Sequence, residues 1–132
     1  MTAPGDAIGP AAILVCVDSM PIWARALRDP NPIHVDAEAA RAAGLGDRVI
    51  NQGPANIGYL VNAVLAHFPG GTIERMDFRF IDNVRGGDVA TASGVVRSVE
   101  ATRQGARVEC DMVLAVDGNA VLTGTATLLT SG

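Results

Sequence analysis

The stretch GPANIGYLVNAVLAHF, residues 53–68, decides the fold. Ile57, Leu60, Val61, Val64, Leu65 and Phe68 recur at intervals of three and four, the period of a helix. Ala55, Gly58, Ala63 and Ala66 fill much of the remaining surface, so the helix is apolar nearly all round and reads as buried. Pro54 suits its first turn, and Pro69-Gly70-Gly71 stops it. Beyond that stop the period changes to two. Ile73 to Ile81, Asp88 to Val99, Ala106 to Val116 and Ala120 to Thr130 read as four strands, with Asp117-Gly118 a hairpin signal between the last two. One buried helix followed by an antiparallel meander predicts an α+β domain in which the sheet wraps around the helix, the hot-dog architecture.

Upstream, Ala11 to Val17 (AAILVCV) reads as a first strand, with residues 1–10 a loose leading segment. Asp18 or Ser19 can cap a short helix containing Pro21, Ile22, Trp23, Ala26 and Leu27, which Asp29-Pro30 closes. Asp36 to Ala43 is a second short helix, capped by Asp36 and stopped by Gly44. All of this fits one domain over residues 1–132.

Composition narrows the function. Net charge is −4, and the ten basic residues are arginines scattered without a block, which argues against a nucleic-acid partner. No apolar run has the length of a membrane span, and the first ten residues lack the pattern of a signal peptide, so a cytoplasmic setting and no membrane partner are expected. Cys16 and Cys110 are expected to be buried free thiols. No Cys/His cluster has metal-ligand spacing, so neither a metal nor a cofactor is expected.

Chemistry is concentrated in Arg28-Asp29-Pro30-Asn31-Pro32-Ile33-His34-Val35-Asp36. Two prolines lock their own φ and push Asp29 and Asn31 out of the helical region, giving a rigid, extended turn. A carboxylate, an amide and one of two histidines sit on it, as an acid/base pair requires.

These residues resemble the signature of the MaoC-like, R-specific enoyl-CoA hydratases: Asp, any residue, Asn, Pro, apolar, His, any residue, Asp, then a helix and a glycine, here Gly44. Phe78-Arg79-Phe80 and Val84-Arg85-Gly86-Gly87-Asp88 resemble that family's first long strand and following turn. The resemblance implies a hot-dog fold and an acyl-CoA substrate, with hydration of a trans-2-enoyl thioester to an (R)-3-hydroxyacyl product. It also implies a homodimer or higher homo-oligomer, or a heteromer with a related chain. Asp29 and His34 would then activate one water. A backbone N–H at the start of the central helix would receive the oxyanion.

One departure stands out. The family carries His-Gly ahead of that helix, where this chain has Asn51-Gln52-Gly53-Pro54. One extra residue in the Gly46-Asp47-Arg48 loop aligns Gly53 with the glycine and Gln52 with the histidine. Without it the glycine falls on Gln52, so the donor lies at one of these two, with Gly53 preferred. Asn31, as a brace of the turn, with Gln52, Asn56, Arg79 and Arg85 completes the candidate substrate-contacting set. Arg79 and Arg85 either meet coenzyme A phosphates or are solvated, and Asn56, Tyr59 and Asn62 either line an acyl tunnel or face a second subunit. Asp36 is a helix cap, and His67 a helix C-terminal residue. A hot-dog thioesterase is a weaker reading, because the central helix has no Asp or Glu. A partner-dependent acyl-CoA-binding subunit is the reading from a different class.

Overall fold

The computed structural model describes residues 1–131. Five strands form one antiparallel sheet in the order β1-β3-β4-β5-β2. They are β1 (Ala7–Leu14), β2 (Thr72–Phe80), β3 (Val89–Thr102), β4 (Gly105–Val116) and β5 (Asn119–Thr130). Two short helices, α1 (Met20–Leu27) and α2 (Ala37–Ala42), precede the long α3 (Gly53–His67). Single 3-10 turns lie at Val17–Ser19 and Pro32–His34.

The sheet curls because its ladders are irregular. Register shifts fall between Ile8 and Ala11, Ile73 and Arg75, Val96 and Ser98, and Leu114 and Ala115. Each such bulge bends its strand and increases the local twist. The concave face closes on α3: Leu60, Val64 and Phe68 share one core with Ala90, Ala92, Val96, Val108, Cys110, Met112, Leu114, Leu122, Ala126 and Leu128. These strand residues alternate, as a sheet with one buried face requires. Leu60 is wholly buried, so its truncation to alanine costs about 2–5 kcal/mol. The arrangement is the hot-dog fold.

The β4–β5 turn carries positive φ at Asp117 (51°) and Gly118 (78°), the conformation that matches strand twist. Gly124 leaves room for Phe78 opposite it: an added Cβ would lie 2.1 Å from the Asp77 carbonyl oxygen.

The N-terminal expectations need correction. The first strand starts at Ala7 and ends at Leu14, so part of the segment expected to be loose pairs with β3, Ala7 opposite Val95. Val15 remains buried beyond the strand, but Cys16 is exposed there, so only Cys110 is a buried thiol. Alternation was hidden in an uninterrupted apolar run. The extended turn expected over Asp29 to Asp36 also tightens, at its end, into the Pro32–His34 3-10 turn.

Candidate active site

Local chemistry shapes the turn after α1. Arg28 adopts φ 51°, and its N–H is shared by the Ala24 and Arg25 carbonyls. Asp29 N–H follows to the Ala24 carbonyl at 2.9 Å. The chain thus leaves the helix abruptly, with Asp29 anchored to its last turn. Asp29 Oδ1 accepts from Asn31 N–H at 3.0 Å, and Asn31 Oδ1 accepts from Ile33 N–H at 3.3 Å. Asn31 therefore caps the 3-10 turn that ends in His34. His34 is 9% exposed and points inward. Its Nδ1–H donates to the Ile50 carbonyl at 2.7 Å, and its Nε2 lies 3.2 Å from Asp29 Oδ2.

A carbonyl oxygen only accepts, so Nδ1 must keep its proton. The exchangeable position is Nε2, against the carboxylate. A deprotonated Nε2 and a carboxylate both only accept, so a hydrogen bond between them requires a proton on one of the two. At 3.2 Å the two side chains are within hydrogen-bonding distance of each other.

Opposite stands the N-terminus of α3. Gly53 is its first residue, and its N–H makes no hydrogen bond among the described residues. Helix N-termini carry unpaired donors and partial positive charge, which suit a developing anion. The Phe80 ring lies over Gly53, since a Cβ there would be 3.1 Å from two ring carbons. A cleft of about 330 Å³ is lined by Ile33, His34, Asn51, Gly53, Asn56 and Phe80 among others, and so borders His34 and Gly53 but not Asp29.

The model of the family described as MaoC like domain matches residues 2–117. The chain belongs to this family. Among solved structures, this MaoC-like domain is similar to the (R)-hydratase from A. caviae involved in PHA biosynthesis, with TM-score 0.88 and 17% identity over 98% of this chain and 97% of that one. It is also similar to a chain of the ChsH1-ChsH2 complex from Mycobacterium tuberculosis, with TM-score 0.86 and 21% identity over 98% and 99% of the two chains. A third is the HadBC (3R-hydroxyacyl-ACP dehydratase) complex from Mycobacterium tuberculosis, with TM-score 0.75 and 23% identity over 97% of each chain. None of the curated proteins compared matches. At these identities the likeness is one of fold.

The remaining candidates of this MaoC-like domain separate clearly. Asn56 lines the cleft, with its Oδ1 accepting from Asn51 Nδ2 at 2.8 Å. Gln52 does not reach the cleft. It is 1% exposed, and its Nε2 donates to the Met20 carbonyl at 2.9 Å, because the residue before the helix turns its side chain towards α1. Arg79 is exposed on β2 and shares a shallow groove with Phe80, Ile81 and Thr123 that adjoins the cleft. Arg85 is half-buried and its Nε–H donates to the Leu45 carbonyl at 3.3 Å, which ties the loop after α2 to the turn before β3. Asp36 caps α2, accepting from Glu38 N–H at 3.0 Å. His67 ends α3 with its ring against Phe68.

Two residues escaped sequence reasoning. Asn51 is buried and bonded to Asn56 and Tyr59, and Phe80 roofs Gly53. Asn51 stood out only within the Asn51-Gln52-Gly53-Pro54 departure, and Phe80 only within the Phe78-Arg79-Phe80 strand motif. Neither was read as a site residue, and the partner of Phe80 is distant in sequence. A larger concavity of about 720 Å³ lies at the other end of the sheet, between Met1, Thr2, Asp6, Val99 and Gly105. Its carboxylate, Asp6, is engaged by Ala3 N–H, and it brings no base to pair with it. Chemistry, not size, selects the smaller cleft. Among the described residues no three His, Cys, Asp or Glu side chains are grouped to hold a metal. No helix of those residues is long and apolar enough to cross a membrane.

Proposed function

We propose that this MaoC-like domain hydrates a trans-2-enoyl-CoA to an (R)-3-hydroxyacyl-CoA and catalyses the reverse dehydration. The observation that carries the reading is the 3.2 Å contact between Asp29 Oδ2 and His34 Nε2, with His34 lining the same cleft as Gly53, whose N–H makes no hydrogen bond among the described residues. A water held by the pair gives one proton to Asp29 as its oxygen bonds to C3. Charge moves to the thioester oxygen, which accepts from Gly53 N–H. The proton on His34 Nε2 then passes to C2. Asp29 now holds the proton His34 has lost, and the short contact returns it. Atoms and charge balance, and no further reactant is needed. General acid–base groups so placed contribute about 10²–10⁴-fold, and an oxyanion donor about as much again.

Arg79, exposed in the groove that adjoins the cleft, would meet the phosphates of coenzyme A. The outer face of α3 suits a second hot-dog domain. Pro54, Asn62, Leu65 and Ala66 are exposed on it, with Gly58 and Val61 half-buried between them. A homodimer is the primary reading and a related chain the alternative; sedimentation of the purified chain as a monomer would remove the first.

The test of the function is direct. The purified chain is mixed with a short trans-2-enoyl-CoA, and loss of the conjugated thioester's ultraviolet absorbance is followed with chiral analysis of the product. Formation of the (R)-3-hydroxy thioester is expected. No turnover, or free coenzyme A as product, would refute it.

A further inference from the structure

The residues from Ile50 to Gly53 hold His34, include the proposed oxyanion donor, and reach the helix that leads to Asp29. Ile50 gives its carbonyl to His34 Nδ1–H at 2.7 Å. The other end of that peptide unit, Asn51 N–H, donates to the Val84 carbonyl at 2.7 Å. Asn51 Nδ2 donates to Asn56 Oδ1 at 2.8 Å and to Tyr59 Oη at 3.1 Å, both on α3. Gln52 Nε2 reaches the Met20 carbonyl at the start of α1, the helix to whose last turn Asp29 is tied. Gly53 then presents the free N–H.

Fold stability does not call for two amides here. Asn51 is 3% and Gln52 1% exposed, and neither Asn51 Oδ1 nor Gln52 Oε1 has a hydrogen-bond partner among the described residues. A buried polar atom left so costs about 1–3 kcal/mol, and a leucine would fill comparable space without it. What the amides supply is direction: one donor pair aimed at α3 and one donor aimed at α1.

We propose that Asn51 and Gln52 are positioning residues of the site. Asn51 fixes the peptide that holds His34 in its Nδ1–H form and, through α3, the Gly53 donor. Gln52 fixes α1 and with it Asp29. The inference rests on the hydratase reading for its kinetic consequence, while its structural consequence stands apart from turnover. Acid/base geometry is unforgiving, and a shift of roughly 1 Å costs about 100-fold in rate.

Asn51→Ala and Gln52→Leu in the full chain separate the two roles. Hydration kinetics on a short trans-2-enoyl-CoA are read beside the imidazole ¹H–¹⁵N correlations of His34 and a thermal melt. Asn51→Ala should lower kcat by about 10- to 100-fold with KM within about twofold, and should displace or broaden the His34 Nδ1–H signal. Gln52→Leu should lower kcat similarly while leaving that signal in place. Tyr59→Phe, which removes one acceptor and keeps the ring, should give a smaller kcat loss with KM unmoved, and serves if Asn51→Ala does not fold. Rates within about twofold of the parent in folded variants, or losses that only track the unfolded fraction, would overturn the proposal. If the parent itself turns over nothing, the hydratase reading fails alone. The imidazole signals then decide: displacement in Asn51→Ala but not Gln52→Leu supports positioning, and no displacement in either overturns it.

Discussion

His34 Nδ1 stands 2.7 Å from the carbonyl oxygen of Ile50, and this contact decides which ring nitrogen faces Asp29. It also separates the structural share of His34 from its chemical share. In His34→Asn the amide can still donate towards Ile50, while Nε2 is lost. That variant should keep its stability within about 1 kcal/mol and lose activity. In His34→Ala the Ile50 carbonyl loses its partner, and about 1–3 kcal/mol should go as well. Urea melts of the two variants check the difference.

Asn31 and Asp36 both cap turns, but only one touches the dyad. Asn31→Ala removes the acceptor for Ile33 N–H and loosens the turn that carries His34. It should cost about 0.5–2 kcal/mol and also lower kcat. Asp36→Ala removes the cap of α2, with a similar stability loss and kcat within about twofold. Equal kcat in both variants would contradict the assignment of Asn31 as the brace.

Gly53→Ala places a methyl group 3.1 Å from the Phe80 ring. Phe80 is 54% exposed, so it can give way, and the melting temperature should hardly change. The ring then moves relative to the Gly53 donor, and kcat/KM for the enoyl thioester should fall by about tenfold or more. Adding Phe80→Ala should relieve the crowding and recover part of that loss. A double variant no better than Gly53→Ala would mean that the ring is not what moves.

The two cysteines should report their surroundings. Cys16 is exposed and should be alkylated in the native protein at pH about 8. Burial, then the nearby Asp111 and Glu109 charges, push the Cys110 thiol up to about 11 from 9.0. It should resist alkylation until the chain unfolds. The sign for stability follows: the Cys110 contribution is fully present below pH 9.0 and is lost as pH rises through about 11. Intact-mass counting of adducts, native against denatured, checks the first part.

Legibility in the sequence tracked the range of the forces involved. The 3.6-residue period of residues 53–68 and the Asp117-Gly118 turn are local signals, and α3 and the β4–β5 hairpin lie where they point. The pairing of Asp29 with His34 was legible for the same reason, since two prolines and two Asx turns set their spacing within six residues. Gln52 was misplaced at the substrate because its partner, the Met20 carbonyl, is 32 residues away. The roof that Phe80 makes over Gly53 is equally long-range. The start of β1 was missed because the apolar run begins only at Ala11, whereas Gly9 and Pro10 sit within the strand where its register with β3 shifts.

The central claim is that Asp29 and His34 act together on one water. The most direct measurement is single-turnover hydration of a short trans-2-enoyl-CoA by the parent, Asp29→Asn, His34→Asn and the double variant. If the pair is one unit, each single variant should lose about 10²–10⁴-fold in rate and the double variant little more than either. Rates near that of the parent in either single variant would contradict the account, as would losses in the double variant equal to the product of the two.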